Sequence, residues 1–265
     1  MKNFSYKAPD SLVNAAEILT DSDNTMLIAG GMSLIADMKA GKSAPEQVVD
    51  LSKIEGLKGI KQQGERISIG AMTSYAEIAA DPLIVQKLTA FANMSADIGD
   101  PAVRTRATIG GALAVNDPSS DYPAAILALD AVIVTNNREI PAEQFFVGPF
   151  KTALTSDEII LEVTLQIPER TAYCALRAQA LRLPVCGVFI ASLSDGMRAT
   201  VTGLSTSGVF RWHELEQFLL KSKDCSSIVD IELAEFSDFL DTIHASARYR
   251  RHLAGVMAKR AAAEL

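Results

Sequence analysis

Residues that commonly hold metal ions are scarce in this sequence, and the few that occur are scattered. The chain has three cysteines, Cys174, Cys186 and Cys225, and three histidines, all of which follow residue 212. An odd number of widely spaced cysteines cannot supply a four-cysteine iron–sulfur or zinc site. We therefore expect three buried thiols in a reducing cytoplasm, and no metal site on this chain.

Long apolar runs and an excess of basic residues are also missing. No stretch of about 18 consecutive apolar residues occurs, which predicts that no segment spans a membrane. The first residues lack the apolar core of a signal peptide, so a cytoplasmic location is expected. Acidic residues outnumber basic ones by 32 to 25, giving a net charge of −7. A nucleic-acid or anionic-membrane partner would need a basic face, so neither partner is expected.

The commonest nucleotide-binding and catalytic fingerprints are absent as well. Neither Gly-x-Gly-x-x-Gly nor a P-loop occurs in the chain. The stretch 203–207, Gly-Leu-Ser-Thr-Ser, resembles a nucleophile elbow without its closing glycine, and we interpret it as a surface turn. Asp117 and Asp121 stand four residues apart beside prolines and serines, a setting typical of capping or turn formation rather than acid–base catalysis.

Apolar periodicity predicts a mixture of helices and strands. Hydrophobic residues make up 48% of the 265 residues, enough to bury a core in one large domain or two moderate ones. Strands are predicted over 25–29, 47–51, 66–69 and 159–167, with hairpins over 131–141 and 186–203. In the strand 159–167, the odd-numbered residues are expected to share one face. A domain boundary is expected near Pro168.

Capping and periodicity signals predict helices over 11–19, 34–39, 73–80, 82–92 and 122–129, and over most of the chain after residue 203. Residues 93–106 show no period and are predicted to form a long ordered loop. The last helix is predicted to begin near Ser246 and to turn five side chains inward: Tyr249, His252, Leu253, Val256 and Met257.

Two glycine pairs stand out among the predicted turns. They lie in the similar stretches 28–34, Ile-Ala-Gly-Gly-Met-Ser-Leu, and 107–113, Ala-Thr-Ile-Gly-Gly-Ala-Leu. Glycine lets the backbone turn tightly and lets a ligand come close, and the exposed N–H groups can form an anion-binding concavity. Either pair alone is more simply a turn. Two pairs of the same form, each with a hydroxyl at Ser33 or Thr108, predict a clamp for a pyrophosphate that needs no lysine or arginine.

A series of motifs along nearly the whole chain resembles the FAD-binding medium subunit of the molybdenum hydroxylases, the family of carbon monoxide dehydrogenase and xanthine dehydrogenase. Ala29–Ser33 and Thr108–Ala112 resemble the two FAD loops of that family. Residues 98–104 and 116–123 resemble the segments that lead into and out of the second loop. Residues 145–152 with 158–160, and residues 249–254, resemble later segments. Order and spacing together make the resemblance specific.

The resemblance implies an α+β fold. An FAD-binding domain of the PCMH type would cover residues 1–170 as two α/β subdomains, about 1–53 and 54–170. A small C-terminal domain with an antiparallel sheet and helices would cover residues 171–265. Asp121 would reach the polar side of the isoalloxazine or its ribityl chain, and Tyr173 would lie where the C-terminal domain approaches the flavin. The implied FAD contacts are Ala29, Gly30, Gly31, Met32, Ser33, Leu34, Thr108, Ile109, Gly110, Gly111, Ala112, Asp121, Leu154, Ile160 and Tyr173, with Leu154 and Ile160 near the ring.

The same resemblance implies an oxidoreductase subunit with no catalytic residue of its own. The molybdenum–pterin centre and the 2Fe–2S clusters would belong to a large and a small partner subunit, in a dimer of heterotrimers. Electrons would pass from the clusters through FAD to a terminal acceptor. The family often has a lysine two positions after the tyrosine that corresponds to Tyr173, and Ala175 stands there, although Arg177 could substitute. A cation near the flavin stabilises its anionic reduced form and can contact NAD, so Ala175 favours a quinone, oxygen or protein acceptor.

Two alternatives stay open at this point. One is a freestanding FAD-dependent oxidoreductase of the same fold, which would need a substrate acid or base beside the flavin. Tyr173 is the residue suitably placed for that role. The other is a flavin-free scaffold subunit, against which the two intact glycine loops argue.

Overall fold

The computed structural model describes residues 1–20, 24–179, 182–221, 228, 233 and 238–265, and the fold begins with a small parallel sheet. Strand β1 (Ser5–Lys7), helix α1 (Leu12–Thr20), strand β2 (Thr25–Ile28), helix α2 (Leu34–Ala40) and strand β3 (Gln47–Asp50) follow in order. The strands pair in the order β1-β3-β2. The strands predicted over 25–29 and 47–51 are confirmed, whereas β1 was not predicted.

A second, larger α/β unit follows, built on a five-stranded antiparallel sheet. Its elements are β4 (Ile60–Gln63), β5 (Arg66–Gly70), α3 (Tyr75–Ala80), α4 (Pro82–Lys87), α5 (Thr89–Asp97), α6 (Pro101–Arg106), α7 (Ile109–Val115), α8 (Asp121–Ala128), β6 (Val132–Thr135), β7 (Glu139–Pro141), α9 (Ala142–Phe145), β8 (Phe146–Gly148), β9 (Lys151–Thr152) and β10 (Ile160–Gln166). The sheet order is β4-β5-β10-β6-β7, which places β10 at the centre, and β8 pairs with β9 separately. The predicted hairpin over 131–141 is confirmed as β6 and β7.

The stretch between residues 82 and 106 corrects two predictions. The single helix predicted over 82–92 is interrupted at Leu88, where α4 gives way to α5. The loop predicted over 93–106 is wrong, because most of it is helical. Asp100 caps α6 by accepting the Val103 N–H at 2.9 Å, and Pro101 takes the first helical position. Such short helices contain too few turns for apolar periodicity to reveal them.

The central strand β10 departs from simple alternation. A register shift between Ile160 and Glu162 interrupts its pairing with β6. As a result Ile159 and Ile160 are both buried, while Leu161 is only partly covered. The prediction that all the odd-numbered residues share one face is therefore wrong at this end of the strand, since a bulge rotates the side chains that follow it.

The chain ends in a four-stranded antiparallel sheet covered by helices. Strands β11 (Arg170–Arg177), β12 (Pro184–Leu193), β13 (Gly196–Ser205) and β14 (Gly208–Arg211) pair in sequence order, and helices α10 (His213–Lys221) and α11 (Ala247–Glu264) follow. The predicted hairpin is confirmed as β12 and β13, but the helix predicted directly after residue 203 is wrong because β14 comes first. Cys186 is buried and Cys174 only half-buried, whereas Cys225 lies outside the described residues.

Helix α11 begins after its Ser246 cap as predicted, but a different set of side chains faces inward. Leu253 and Met257 are buried, whereas Tyr249 is 47% exposed and His252 is also exposed. Arg250 is buried in their place and donates to the Gly203 carbonyl oxygen at 2.6 Å and to the Val185 carbonyl oxygen. A buried guanidinium is stable here because its donors meet backbone carbonyls; apolar periodicity alone would not place an arginine inside.

The C-terminal sheet is fastened to helix α8 of the preceding unit. Thr200 Oγ1 donates to the Ala124 carbonyl oxygen at 2.8 Å, and Thr202 Oγ1 donates to the Ser120 carbonyl oxygen at 2.7 Å. Phe189 of β12 also belongs to the core of the larger α/β unit. The two units thus share a packed interface, and the predicted division between residues 170 and 171 remains an interpretation. None of the described helices has the length and apolarity needed to cross a bilayer.

Candidate functional site

The two glycine-containing segments lie against each other. Gly30 is so close to the second segment that an added Cβ atom would lie 2.0 Å from the Arg106 carbonyl oxygen. A Cβ atom at Gly111 would lie 3.1 Å from Thr108 Oγ1 and 3.9 Å from Ala29 Cβ, between the two segments. Glycine is therefore needed at Gly30 for backbone contact, and at Gly111 it keeps the space between the segments open.

A cavity of about 190 Å³ opens where the segments meet. The predicted site residues that line it are Ala29, Gly30, Gly31, Met32, Ser33, Leu34, Thr108, Gly110, Gly111, Ala112, Leu154 and Ile160. Further residues complete its largely apolar wall: Leu27, Ile28, Leu51, Ala71, Met72, Tyr75, Ala107, Ala114, Val115 and Glu158. Most of these belong to ordinary apolar strands and helices, so only the tertiary structure assigns them to the site.

Three predicted site residues lie elsewhere. Ile109 is fully buried in the core of the larger α/β unit. Asp121 and Tyr173 do not line the cavity; they contact each other, with the Tyr173 hydroxyl donating to Asp121 Oδ1 at 2.5 Å. Their predicted contact with a flavin stays a prediction.

The two segments differ in the hydrogen-bond donors they leave free. The N–H groups of the second segment already have acceptors: Ile109 donates to Thr73 O, Gly110 to Ala71 O, Gly111 to Thr108 Oγ1, and Ala112 to Thr108 O. Among the described residues, none accepts a hydrogen bond from the N–H groups of Gly30, Gly31, Met32 or Ser33. The expectation that both segments present free N–H groups is therefore wrong for the second one, which instead offers the Thr108 hydroxyl proton.

Local sequence explains this difference. Gly31 has φ 75°, a left-handed conformation that favours glycine and turns the first segment sharply between β2 and α2. The second glycine pair lies in the first turn of α7 rather than after a strand, and Thr108 is the cap of that helix. Gly110 packs against Ala71, where a Cβ atom would lie 2.7 Å from the Ala71 Cβ. The first segment is thus an open turn and the second a packed helix start.

One wall of the cavity carries a buried carboxylate that is paired with a half-exposed arginine. The Glu158 side chain is 1% exposed and accepts the Arg138 Nε–H at 2.8 Å. The Arg138 guanidinium, together with the Thr155 N–H at 2.8 Å, holds the pKa of the Glu158 carboxyl at about 2. Arg138 also donates to the Ala153 carbonyl oxygen, which fixes the segment that carries Leu154. No spacing rule links residues 138 and 158, so the sequence did not indicate this pair.

A second charge cluster lies where helix α8 meets strand β11. Asp121, the first residue of α8, is 1% exposed and accepts hydrogen bonds from both Tyr173 and Arg177. Burial raises the pKa of the Asp121 carboxyl, and the Arg177 guanidinium opposes that rise. Arg177 Nη2 lies 2.9 Å from Asp121 Oδ1, and its Nε donates to Asp97. The cation that could have substituted for a lysine at Ala175 is therefore already paired.

Comparison with known proteins places this site in a family. Residues 2–169 match the family model described as the FAD binding domain in molybdopterin dehydrogenase. The glyceraldehyde dehydrogenase medium chain of Sulfolobus acidocaldarius is 30% identical over 99% of this chain and 98% of its own length. The 6-hydroxypseudooxynicotine dehydrogenase complex subunit alpha of Paenarthrobacter nicotinovorans is 31% identical over 99% of this chain and 94% of its own.

The fold gives the same assignment. A chain in the solved structure of carbon monoxide dehydrogenase from Hydrogenophaga pseudoflava superposes with a TM-score of 0.92 at 29% identity, covering 99% of this chain and 97% of that one. The match extends beyond the FAD-binding segment through the C-terminal sheet and helices. With its α+β fold and its two facing glycine segments, the chain belongs to the FAD-binding medium subunits of the molybdenum hydroxylase family, a family of oxidoreductases.

Proposed function

We propose that this subunit takes electrons from iron–sulfur clusters on a small partner subunit and passes them through FAD to a terminal acceptor. A large partner subunit with a molybdenum–pterin centre would oxidise the substrate, and the assembly would be a dimer of such heterotrimers. The observation that carries the proposal is the cavity lined by both glycine segments, in a chain whose residues 2–169 match an FAD-binding family. When bound, FAD accepts electrons singly and releases them in pairs, which suits it to the last step.

The residues present fit the cofactor. Free N–H groups at Gly30, Gly31, Met32 and Ser33 form a concavity for an anion, and the Thr108 hydroxyl faces them with a proton to donate. The remaining cavity wall is mostly apolar, as expected for a site that takes a flat aromatic ring. In the proposed complex this chain binds and orients the cofactor, and its packed walls exclude water.

The names of the relatives support partner subunits but differ in substrate. Those proteins are described as medium chains, or as a subunit of a complex, of dehydrogenases for glyceraldehyde, carbon monoxide and 6-hydroxypseudooxynicotine. The chain is about equally similar to all three, although their substrates differ. This agrees with the large partner subunit choosing the substrate. Purification of the native protein tests the assembly: two companion chains and a flavin spectrum are expected, and a lone flavoprotein that oxidises its own substrate would contradict it.

The acceptor side of the proposal rests on Ala175 and Arg177. Ala175 supplies no cation, and the Arg177 guanidinium is held by Asp121 and Asp97. A quinone, oxygen or protein acceptor therefore suits this subunit better than NAD. Anaerobic addition of NADH is expected to leave the visible absorbance of the flavin largely unbleached; rapid full bleaching would contradict the acceptor assignment.

A further inference from the structure

Glu158 is the one residue with a charged side chain among the described residues that line the apolar cavity. The other lining residues are glycines or apolar residues, apart from the hydroxyl-bearing Ser33, Tyr75 and Thr108. The Glu158 side chain is 1% exposed. A charge in such surroundings is screened far less than a charge in water, because the local dielectric constant is low. Whatever occupies the cavity therefore experiences the field of this carboxylate.

The two charges of the Glu158–Arg138 pair lie in different surroundings. Arg138 does not belong to the cavity lining, and its side chain is 49% exposed. Water therefore screens the guanidinium, whereas the buried carboxylate is shielded from water. The negative member of the pair is the one at the cavity. Arg138 thus stabilises the carboxylate without cancelling its field inside the cavity.

The surrounding donors keep Glu158 ionised. Its carboxylate oxygens accept hydrogen bonds from Arg138 Nε at 2.8 Å and Nη2 at 3.1 Å, from the Thr155 N–H at 2.8 Å and from Thr135 Oγ1 at 3.1 Å. With the Arg138 guanidinium as the main cause, the pKa of the Glu158 carboxyl is held at about 2. The negative charge is therefore a constant feature of the cavity wall in the neutral pH range.

We infer that the Glu158 carboxylate lowers the midpoint potential of the bound flavin and so makes it a stronger electron donor to the terminal acceptor. This inference rests on the proposed FAD site. Two electrons from the partner's iron–sulfur clusters and one proton from water convert bound FAD to its anionic reduced form, and the acceptor removes both electrons. A fixed anion in the cavity wall repels the added negative charge, which disfavours the reduced form.

The surroundings of Glu158 support an effect on the flavin ring. Glu158 lies between Leu154 and Ile160 in the chain, and these two cavity residues are the ones predicted to lie near the ring. No cation offsets the carboxylate from the C-terminal sheet at Ala175, and the Arg177 guanidinium is held by two acids. The balance of charge around the reduced flavin is therefore negative.

The test measures the midpoint potential of the flavin in the native protein by anaerobic reduction against a reference dye. Glu158→Gln removes the charge and keeps the side-chain shape. We expect the ratio of reduced to oxidised flavin at a fixed potential to rise about 10-fold, a shift of about 30 mV for two electrons. Arg138→Gln removes the cation and should shift the potential the opposite way, by less, because water screens that charge. Glu139→Gln, at an exposed carboxylate, should leave the potential unchanged.

The opposite signs distinguish a charge effect from loosened packing, which would not reverse between two variants of one pair. Glu158→Asp keeps the charge and should recover most of the wild-type potential. Equal potentials for Glu158→Gln and Glu139→Gln, or shifts of one sign for Glu158→Gln and Arg138→Gln, would overturn the inference and leave the FAD site intact. If Glu158→Gln does not fold, an unchanged or raised potential in Arg138→Gln overturns it. A native protein without FAD would overturn the FAD site itself.

Discussion

The Tyr173 hydroxyl donates to Asp121 Oδ1 at 2.5 Å, joining strand β11 to the start of helix α8. Arg177 lies four residues further along β11, on the same face of the strand, and donates to the same carboxylate. The C-terminal sheet is thereby linked to the FAD-binding unit through one buried acid. Asp121 is therefore the centre of this interface. Tyr173 and Arg177 already hold its carboxylate, so a contact with the flavin would have to be made by a side chain that is fixed in place.

Removing that acid should weaken the fold. Asp121→Asn leaves the Arg177 guanidinium, whose side chain is only 10% exposed, without its buried carboxylate. We expect a loss of about 3 kcal/mol in the free energy of unfolding, measured by urea denaturation. Asp195→Asn removes a carboxylate that is 54% exposed from its pair with Arg198, and because water reaches this acid the loss should be less than about 1 kcal/mol. Equal losses for the two variants would contradict the interface role.

Gly187 sets the position of Tyr173. A Cβ atom at Gly187 would lie 2.4 Å from the Tyr173 hydroxyl oxygen, so Gly187→Ala should push the ring away from Asp121 and cost about 2 kcal/mol. A Tyr173→Phe background removes the closest of these contacts and leaves the ring carbon Cζ at 3.1 Å, so the same substitution should cost measurably less there. Denaturation of the single and double variants gives the coupling energy. Purely additive losses would show that Gly187 acts independently of the hydroxyl.

Acid should destabilise the cavity wall through Glu158. Its folded pKa of about 2 lies below the usual value of 4.5, so its stabilising contribution is complete above pH 5 and is lost as the pH falls toward 2. The urea midpoint of the wild type should therefore fall more steeply between pH 5 and pH 2.5 than that of Glu158→Gln. Glu139→Gln, at an exposed carboxylate, should keep the wild-type slope. Parallel slopes for wild type and Glu158→Gln would refute the assignment.

The contact between the two glycine segments should tolerate no side chain at Gly30. In Gly30→Ala the new methyl group meets the Arg106 carbonyl oxygen, which forces the segments apart; we expect FAD affinity to fall at least about 10-fold, with a loss of about 2 kcal/mol in stability. Gly148→Ala is the matched control, because nothing lies within 4 Å of its added Cβ atom. The test is an FAD titration of both variants. Equal FAD affinities for Gly30→Ala and Gly148→Ala would show that the contact at Gly30 does not support FAD binding.

Local signals predicted much of the fold, and tertiary contacts decided the rest. The cap at Ser246, the β6–β7 hairpin and the paired glycine segments follow from turn chemistry and alternation within a few residues. The sequence could not show that Gly110 donates its N–H to Ala71, because that acceptor lies 39 positions earlier and is brought close only by folding. For the same reason periodicity placed Tyr249 inside, where the structure buries Arg250 against backbone carbonyls of the C-terminal sheet.

The most direct test of the central claim is the flavin content of Gly111→Val. An added Cβ atom at Gly111 enters the space between Thr108 and Ala29 without meeting other backbone, whereas one at Gly110 would strike Ala71 and disturb the packing. Flavin per chain, measured by absorbance and by chromatography of the released cofactor, should be close to one FAD in the wild type and only traces in Gly111→Val, with similar melting temperatures. A folded Gly111→Val chain that retains a full complement of FAD would contradict the account.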